Sequence, residues 1–161
     1  MAIQLSDDEI GSLLTEQKSL PEDFLSRMKP KGKRGHTEYE QSVDGEKGSQ
    51  FLLIFRQNEK NVLDFSVILS YLPQGTNQQF RLRRYNGKSH EHTNKIERKT
   101  FYGFHIHMAT NRYQQSGFRE DAYAEETDRY ATYRDAIDCM LKDCSFTVCA
   151  KDSNLFQWGI D

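Results

Sequence analysis

Residues 50–85, QFLLIFRQNEKNVLDFSVILSYLPQGTNQQFRLRRY, decide the fold. The runs QFLLIFRQ (50–57), VLDFSVILSYL (62–72) and QFRLRRY (79–85) are rich in β-branched, aromatic and leucine residues. They are separated by NEKN and PQGTNQ, whose Asn, Pro and Gly suit turns between adjacent strands. Side chains alternate along a strand, so Phe80, Leu82 and Arg84 are expected on one face and Arg81, Arg83 and Tyr85 on the other. Upstream, HTEYEQSV (36–43) reads as an edge strand; downstream, TFYGFHIHMAT (100–110) and EDAYAE (120–125) read as two more, the second after a turn NRYQQSGF.

Helices flank this region. Ser6 and Glu9 form an S-x-x-E capping box ahead of an apolar stripe at Ile10, Leu13 and Leu14. Pro21 is expected to open a short second helix carrying Phe24, Leu25 and Met28 and ending at Pro30. The basic stretch KPKGKRGH reads as a solvated connector. ATYRDAIDCMLKDC is an amphipathic helix with Tyr133, Ile137, Met140 and Leu141 on one side, and the tail NLFQWG adds a strand or packs Phe156 and Trp158 on the core. The fold class is therefore α+β, in one domain over 1–161. It divides into an N-terminal helical segment (1–30), a central antiparallel sheet of about five or six strands (36–128), a helix packed on it (131–145) and a tail (146–161).

A chain of 161 residues can bury a core without disulfides. The net charge of −2 argues against a protein that coats DNA. No apolar run is long enough to span a bilayer, and MAIQLSDDEIGSLL lacks the order of a signal peptide, so a cytoplasmic protein with no membrane partner is expected. The three cysteines, Cys139, Cys144 and Cys149, are an odd set without the tight C-x2-C of structural zinc, and read as buried apolar residues. Charge is polarised: Arg81–Lys99 holds seven Lys/Arg against two Glu, and Arg119–Asp138 seven Asp/Glu against three Arg.

Chemistry concentrates in HEHTNKIERKTFYGFHIH (90–107), which holds four of the five histidines as two H-x-H pairs. On a strand His105 and His107 project together, with roots roughly 7 Å apart, and Ile106 faces the core. His90 and His92 lie in a loop long enough to fold back over them. Without a metal, His92, His105 and His107 are acid/base candidates for cleaving RNA, with Arg83, Arg84 and Lys88 on the phosphate and Tyr85, Tyr102 and Phe104 available to stack bases. With a metal, His90, His92, His105 and His107 plus Glu97 would suit Zn or Fe.

From Phe80 to Phe146 the chain resembles an uncharacterised family of small bacterial and phage domains. The shared pattern is an arginine strand (Arg83, Tyr85, Asn86), an H-x-H-T-N loop (His90 or His92, Asn94), a G-x-H-I-H strand (Gly103, His105, His107) and a late helix ending in a Cys turn. The resemblance implies a bacterial or phage conflict-system setting (toxin–antitoxin, defence or anti-defence) and supplies no reaction; from the paired histidines and the arginines, the expectation is a nucleic-acid-acting protein, a small metal-independent ribonuclease with no cofactor and an RNA partner. The alternative is a non-enzymatic inhibitor that binds a host immune complex through REDAYAEETD, with Glu125 and Glu126 in contact.

Overall fold

The structure, a computed structural model, describes residues 2–149. Helix α1 (Asp7–Thr15) begins at the expected capping box: Ser6 Oγ accepts from Glu9 N, and Glu9 Oε1 accepts from Ser6 N. There follow β1 (Lys18–Pro21), a single-turn α2 (Phe24–Arg27), β2 (Lys29–Lys33), β3 (His36–Asp44), β4 (Gln50–Asn58), β5 (Phe65–Tyr71) and β6 (Phe80–Asn86). A small hairpin, β7 (His92–Asn94) and β8 (Lys99–Phe101), precedes β9 (His105–Met108), α3 (Asn111–Gln115), β10 (Ala124–Glu126), α4 (Tyr133–Asp143) and β11 (Phe146–Cys149).

The α+β reading holds: a large antiparallel sheet carries the C-terminal helix. The sheet has seven strands, in the order β10-β9-β6-β5-β4-β3-β2. The extra strand is β2, the basic stretch expected to be a loop. It pairs with β3 as the edge, placing Lys29 opposite Glu40 and Lys31 opposite Glu38. Cross-strand charge pairing and an edge position, where Pro30 need not donate, offset its poor strand composition. The strand at 36–44 is thus second from the edge. Residues 1–30 are not wholly helical, because Pro21 closes β1 instead of opening α2. Strand β1 lies parallel to β11, Lys18 opposite Phe146, a long-range pairing that accounts for the start of the tail. The segment NLFQWG lies outside the described residues. Among the described residues no helix is long and apolar enough to cross a membrane.

One sheet face is apolar. Phe51, Leu53 and Phe55 of β4, Phe65, Val67 and Leu69 of β5, Tyr85 and Ile106 are buried there with Phe24, Ala136, Ile137 and Met140 from α2 and α4. Each buried Val, Leu, Ile, Phe or Met among them contributes about 1.5–3 kcal/mol of transfer free energy. At the rim, Lys18 is buried and its Nζ donates to the carbonyls of Leu13 (2.8 Å), Leu14 (3.2 Å), Glu16 (2.7 Å) and Cys144 (2.8 Å). One ammonium thus meets the exposed carbonyl ends of both α1 and α4, where the helix dipoles favour a cation. The three cysteines are free thiols, with Cys144 and Cys149 buried.

The opposite face is different. Directly paired residues share a face, so the register builds two cross-strand rows there: Glu38–Arg56–Ser66–Asn86–His105–Glu126, and Glu40–Ile54–Ile68–Arg84–His107–Ala124. Here the expected alternation in β6 breaks. Leu69 pairs with Arg83 and Ser70 with Arg81, leaving Leu82 as the extra residue of a β-bulge. The bulge turns Arg81 onto the histidine face with Arg84, while Arg83 goes with Tyr85 to the helix side.

Candidate functional site: three histidines on the polar face

Three elements bring the histidines together. His105 and His107 project from β9 as period two requires, and the β7–β8 hairpin folds His92 over them. The His92 ring centroid lies 5.4 Å from that of His105 and 4.8 Å from that of His107, and the latter two are 5.1 Å apart. One ring nitrogen from each of the three lies within 4.8 Å of the others. His105 and His107 are buried, and His92 is partly so. The loop 86–99, expected to be irregular, contains strand β7, which pairs antiparallel with β8 and is docked through Asn94. Its Oδ1 accepts from Ala124 N (2.9 Å) and its Nδ2 donates to Ala124 O (2.7 Å), tying the hairpin to the sheet edge.

The hydrogen bonds fix how each imidazole presents itself. A carbonyl oxygen only accepts, so His105 Nδ1 donates to Gly103 O (2.9 Å) and His107 Nδ1 donates to Asp121 O (2.7 Å). The pairing with Ala124 identifies the Asn94 oxygen, which accepts from His92 Nε2 at 2.8 Å. Every ring therefore donates one N–H to an oxygen and keeps the other nitrogen as a lone pair: Nε2 in His105 and His107, Nδ1 in His92. Asn86 Nδ2 approaches His105 Nε2 only at 3.5 Å, a long contact. Burial lowers all three pKa values. It takes His105 down to about 4 and His107 down to about 2, where the Arg84 guanidinium adds to the effect; for His92 burial outweighs the opposing bond to Asn94. The cluster is three neutral imidazoles.

Beside it Arg84 donates Nε to Asp121 Oδ2 at 3.1 Å. Asp121 is fully buried, so one residue orients both His107, through its backbone oxygen, and Arg84, through its carboxylate. A cleft of about 470 Å³ opens here, lined by Arg84, His92, Lys95, His107, Phe118 and Arg119 among others.

The residues expected in the site are partly assembled. His92, His105 and His107 meet. His90 is exposed, 5.9 Å from His105 by ring centroids, with Nδ1 3.1 Å from Ser89 Oγ, outside the three-nitrogen group. Glu97 is turned away: its Oε1 accepts from Tyr113 Oη at 2.5 Å and its Oε2 pairs with Arg112. Arg84 is in place, whereas Arg83 is on the other face, its Nη1 3.5 Å from Tyr85 Oη. Lys88 is exposed, with its backbone N donating to Leu63 O. Tyr85 cannot stack a base, because it is fully buried with its hydroxyl on Asp143 Oδ2 (2.6 Å), and Phe104 packs on Phe65 at 6.2 Å; Tyr102 is 52% exposed. Glu125 and Glu126 are exposed on β10, the short edge strand. Sequence reading missed Asn94's role in the hairpin, Asp121, and Arg81, which only the bulge brings to this face.

Fold and site together define an α+β protein with a trihistidine cluster on the polar face of an antiparallel sheet. No family model matches the chain, and neither a curated protein nor a solved structure matches it. The resemblance to small bacterial and phage domains thus stands on its motifs alone.

Proposed function

We propose that His92, His105 and His107 hold a divalent transition metal, zinc in the first instance, and that the protein is a metal-dependent hydrolase acting on nucleic acid in a bacterial or phage conflict system. The observation that carries this is the hydrogen-bond pattern: three convergent imidazoles, each with one N–H given to an oxygen and one lone pair left. Ligating histidines are oriented in this way by the groups behind them, and three of them leave a fourth position for water or substrate. A zinc ion with bonds of about 2.0–2.1 Å holds its nitrogens roughly 3.3 Å apart, so the three nitrogens, within 4.8 Å of one another, would have to draw closer to hold it. The metal would supply a Lewis acid and a water of lowered pKa. Arg84, held by Asp121, is a guanidinium whose charge acts on all three rings and would meet an anionic substrate.

The metal-free ribonuclease reading has less support, since one histidine must then enter the reaction protonated, and two of the three candidates are buried as neutral rings. The inhibitor reading draws on a second cleft, of about 610 Å³, lined by Glu125, Glu126 and Asp128 on the other side of β10.

Elemental analysis of untagged protein tests the proposal, beside a zinc titration of wild type and His107→Ala. Near-stoichiometric metal, lost in the variant, is expected. A wild-type chain that takes up no Zn²⁺, Fe²⁺, Mn²⁺ or Ni²⁺ at micromolar concentration would overturn it.

A further inference from the structure

Besides the histidines, the polar face carries a cluster of guanidinium groups. The charges of Arg119 of the α3–β10 loop and Arg56 of β4 act on Arg81 of β6, and those of Arg81 and Arg119 act on Arg84 of the same strand. Like charges do not gather without cause, and the local carboxylates only partly answer them. Asp121 serves Arg84 at 3.1 Å and Arg119 at 3.9 Å, and Glu38 lies 4.0 Å from Arg56. Among the described residues the Arg81 side chain takes no salt bridge; Glu120 Oε2 instead accepts from its backbone N at 3.0 Å. The Arg119 side chain is 63% exposed.

The bulge at Leu82 creates this arrangement. With regular alternation Arg81 and Arg84 would point to opposite faces; the extra residue sets them on one face, two ladder positions apart, roughly 7 Å along the strand. Bulges re-aim side chains in this way next to active sites. Phe118, 37% exposed, stands in the same cleft as Arg84 and Arg119. Arg84 and Arg119 in one cleft with an exposed aromatic ring, and Arg81 on the same sheet face, are the components of single-strand recognition, with guanidinium on phosphate and ring on base.

The geometry points to a single-stranded nucleic acid as the ligand of this face, its phosphates lying along Arg84, Arg81 and Arg119 and one base on Phe118. This deepens the proposed hydrolase by naming its substrate class, and it rests on that reading for the reaction but not for the binding. An acidic peptide would use the same charges but has no call on Phe118.

The test is fluorescence anisotropy of the full chain with a labelled 12-nucleotide oligouridylate, with and without EDTA, from 25 to 200 mM salt. Each phosphate contact adds about 0.7 to the slope of log affinity against log salt for a single strand. The double variant Arg81→Gln/Arg119→Gln should lower that slope by about 1.4 and weaken binding about tenfold or more at low salt. Phe118→Ala should weaken binding at every salt concentration without changing the slope. Zinc uptake by the variants should match wild type, which separates this inference from the metal centre. Affinity and slope unchanged in the double variant would overturn it, as would equal binding of polyglutamate, or a mononucleotide binding as well as the 12-mer. Absence of metal uptake with RNA binding intact would remove the hydrolase and keep this inference.

Discussion

Acidifying the metal-free protein should unfold it in a window set by the buried histidines. An unfolded histidine titrates near 6.5. His105 is held at about 4 and His107 at about 2 in the fold, chiefly by burial. Between these values the unfolded chain binds protons that the native state refuses, so stability falls as pH falls from about 6.5. At pH 5 each histidine is almost wholly charged when unfolded and neutral when folded. Linkage then gives a loss of ~2 kcal/mol per ring relative to pH 7.5, or ~4 kcal/mol for the pair. Carboxylates with lowered pKa values, such as Glu16 and Asp143, act further down, below their ordinary values of 4.5 and 3.8. The interval from 7.5 to 5 therefore isolates the imidazoles. The assay is urea denaturation of metal-free protein at half-unit pH steps, beside His105→Asn/His107→Asn, whose amides keep a donor near each Nδ1 and do not titrate. A steep loss in wild type and a shallow one in the variant is expected. If wild-type stability is flat across the window, the rings are not buried neutral, and the argument from their hydrogen bonds fails with it.

Four further outcomes follow from single residues. Asn94→Ala removes both the acceptor behind His92 and the bridge to Ala124, and should weaken zinc binding 10–100-fold by competition titration. Lys18→Met leaves four carbonyls at the rim without their donor, those of Glu16 and Cys144 in buried bonds, and should cost ~3 kcal/mol or more in urea denaturation. At Gly87 an added Cβ would sit 1.9 Å from the Leu63 carbonyl oxygen, so Gly87→Ala should lower stability by ~1–3 kcal/mol on the same assay. Tyr113→Phe removes the hydroxyl from Glu97, whose pair with Arg112 remains, and from Ile96 N, and should raise amide exchange in the β7–β8 turn while leaving global stability within ~1.5 kcal/mol.

The parts of the fold legible in the sequence are those set by local chemistry. The Ser6/Glu9 capping box, the apolar stripe of α4 and the strands at 50–57, 65–71 and 80–86 all announce themselves through neighbours within a few residues. The elements that escaped depend on partners far along the chain. Strand β2, with three lysines and a proline, is a strand because β3 offers Glu38 and Glu40 opposite it. Strand β1 exists because β11, more than a hundred residues later, lies beside it. A periodicity window contains neither partner, and the composition of KPKGKRGH favours a loop on its own terms.

The site divides along the same line, which says something about how it is built. That His105 and His107 share a face follows from period two and needed no structure. That His92 joins them, and His90 and Glu97 do not, depends on Asn94 docking its amide on Ala124 and on Tyr113 and Arg112 drawing Glu97 away. The same holds for the arginines: alternation sets Arg81 and Arg83 together on the face opposite Arg84, and the extra residue in β6 moves Arg81 across to Arg84 while Arg83 stays. Both departures serve one end. An apolar face buried by helices leaves the other face free to hold groups that a core would reject: three imidazoles, a buried aspartate and a cluster of guanidinium groups. Local rules fail at the hairpin and the bulge, the two places that bring those groups together.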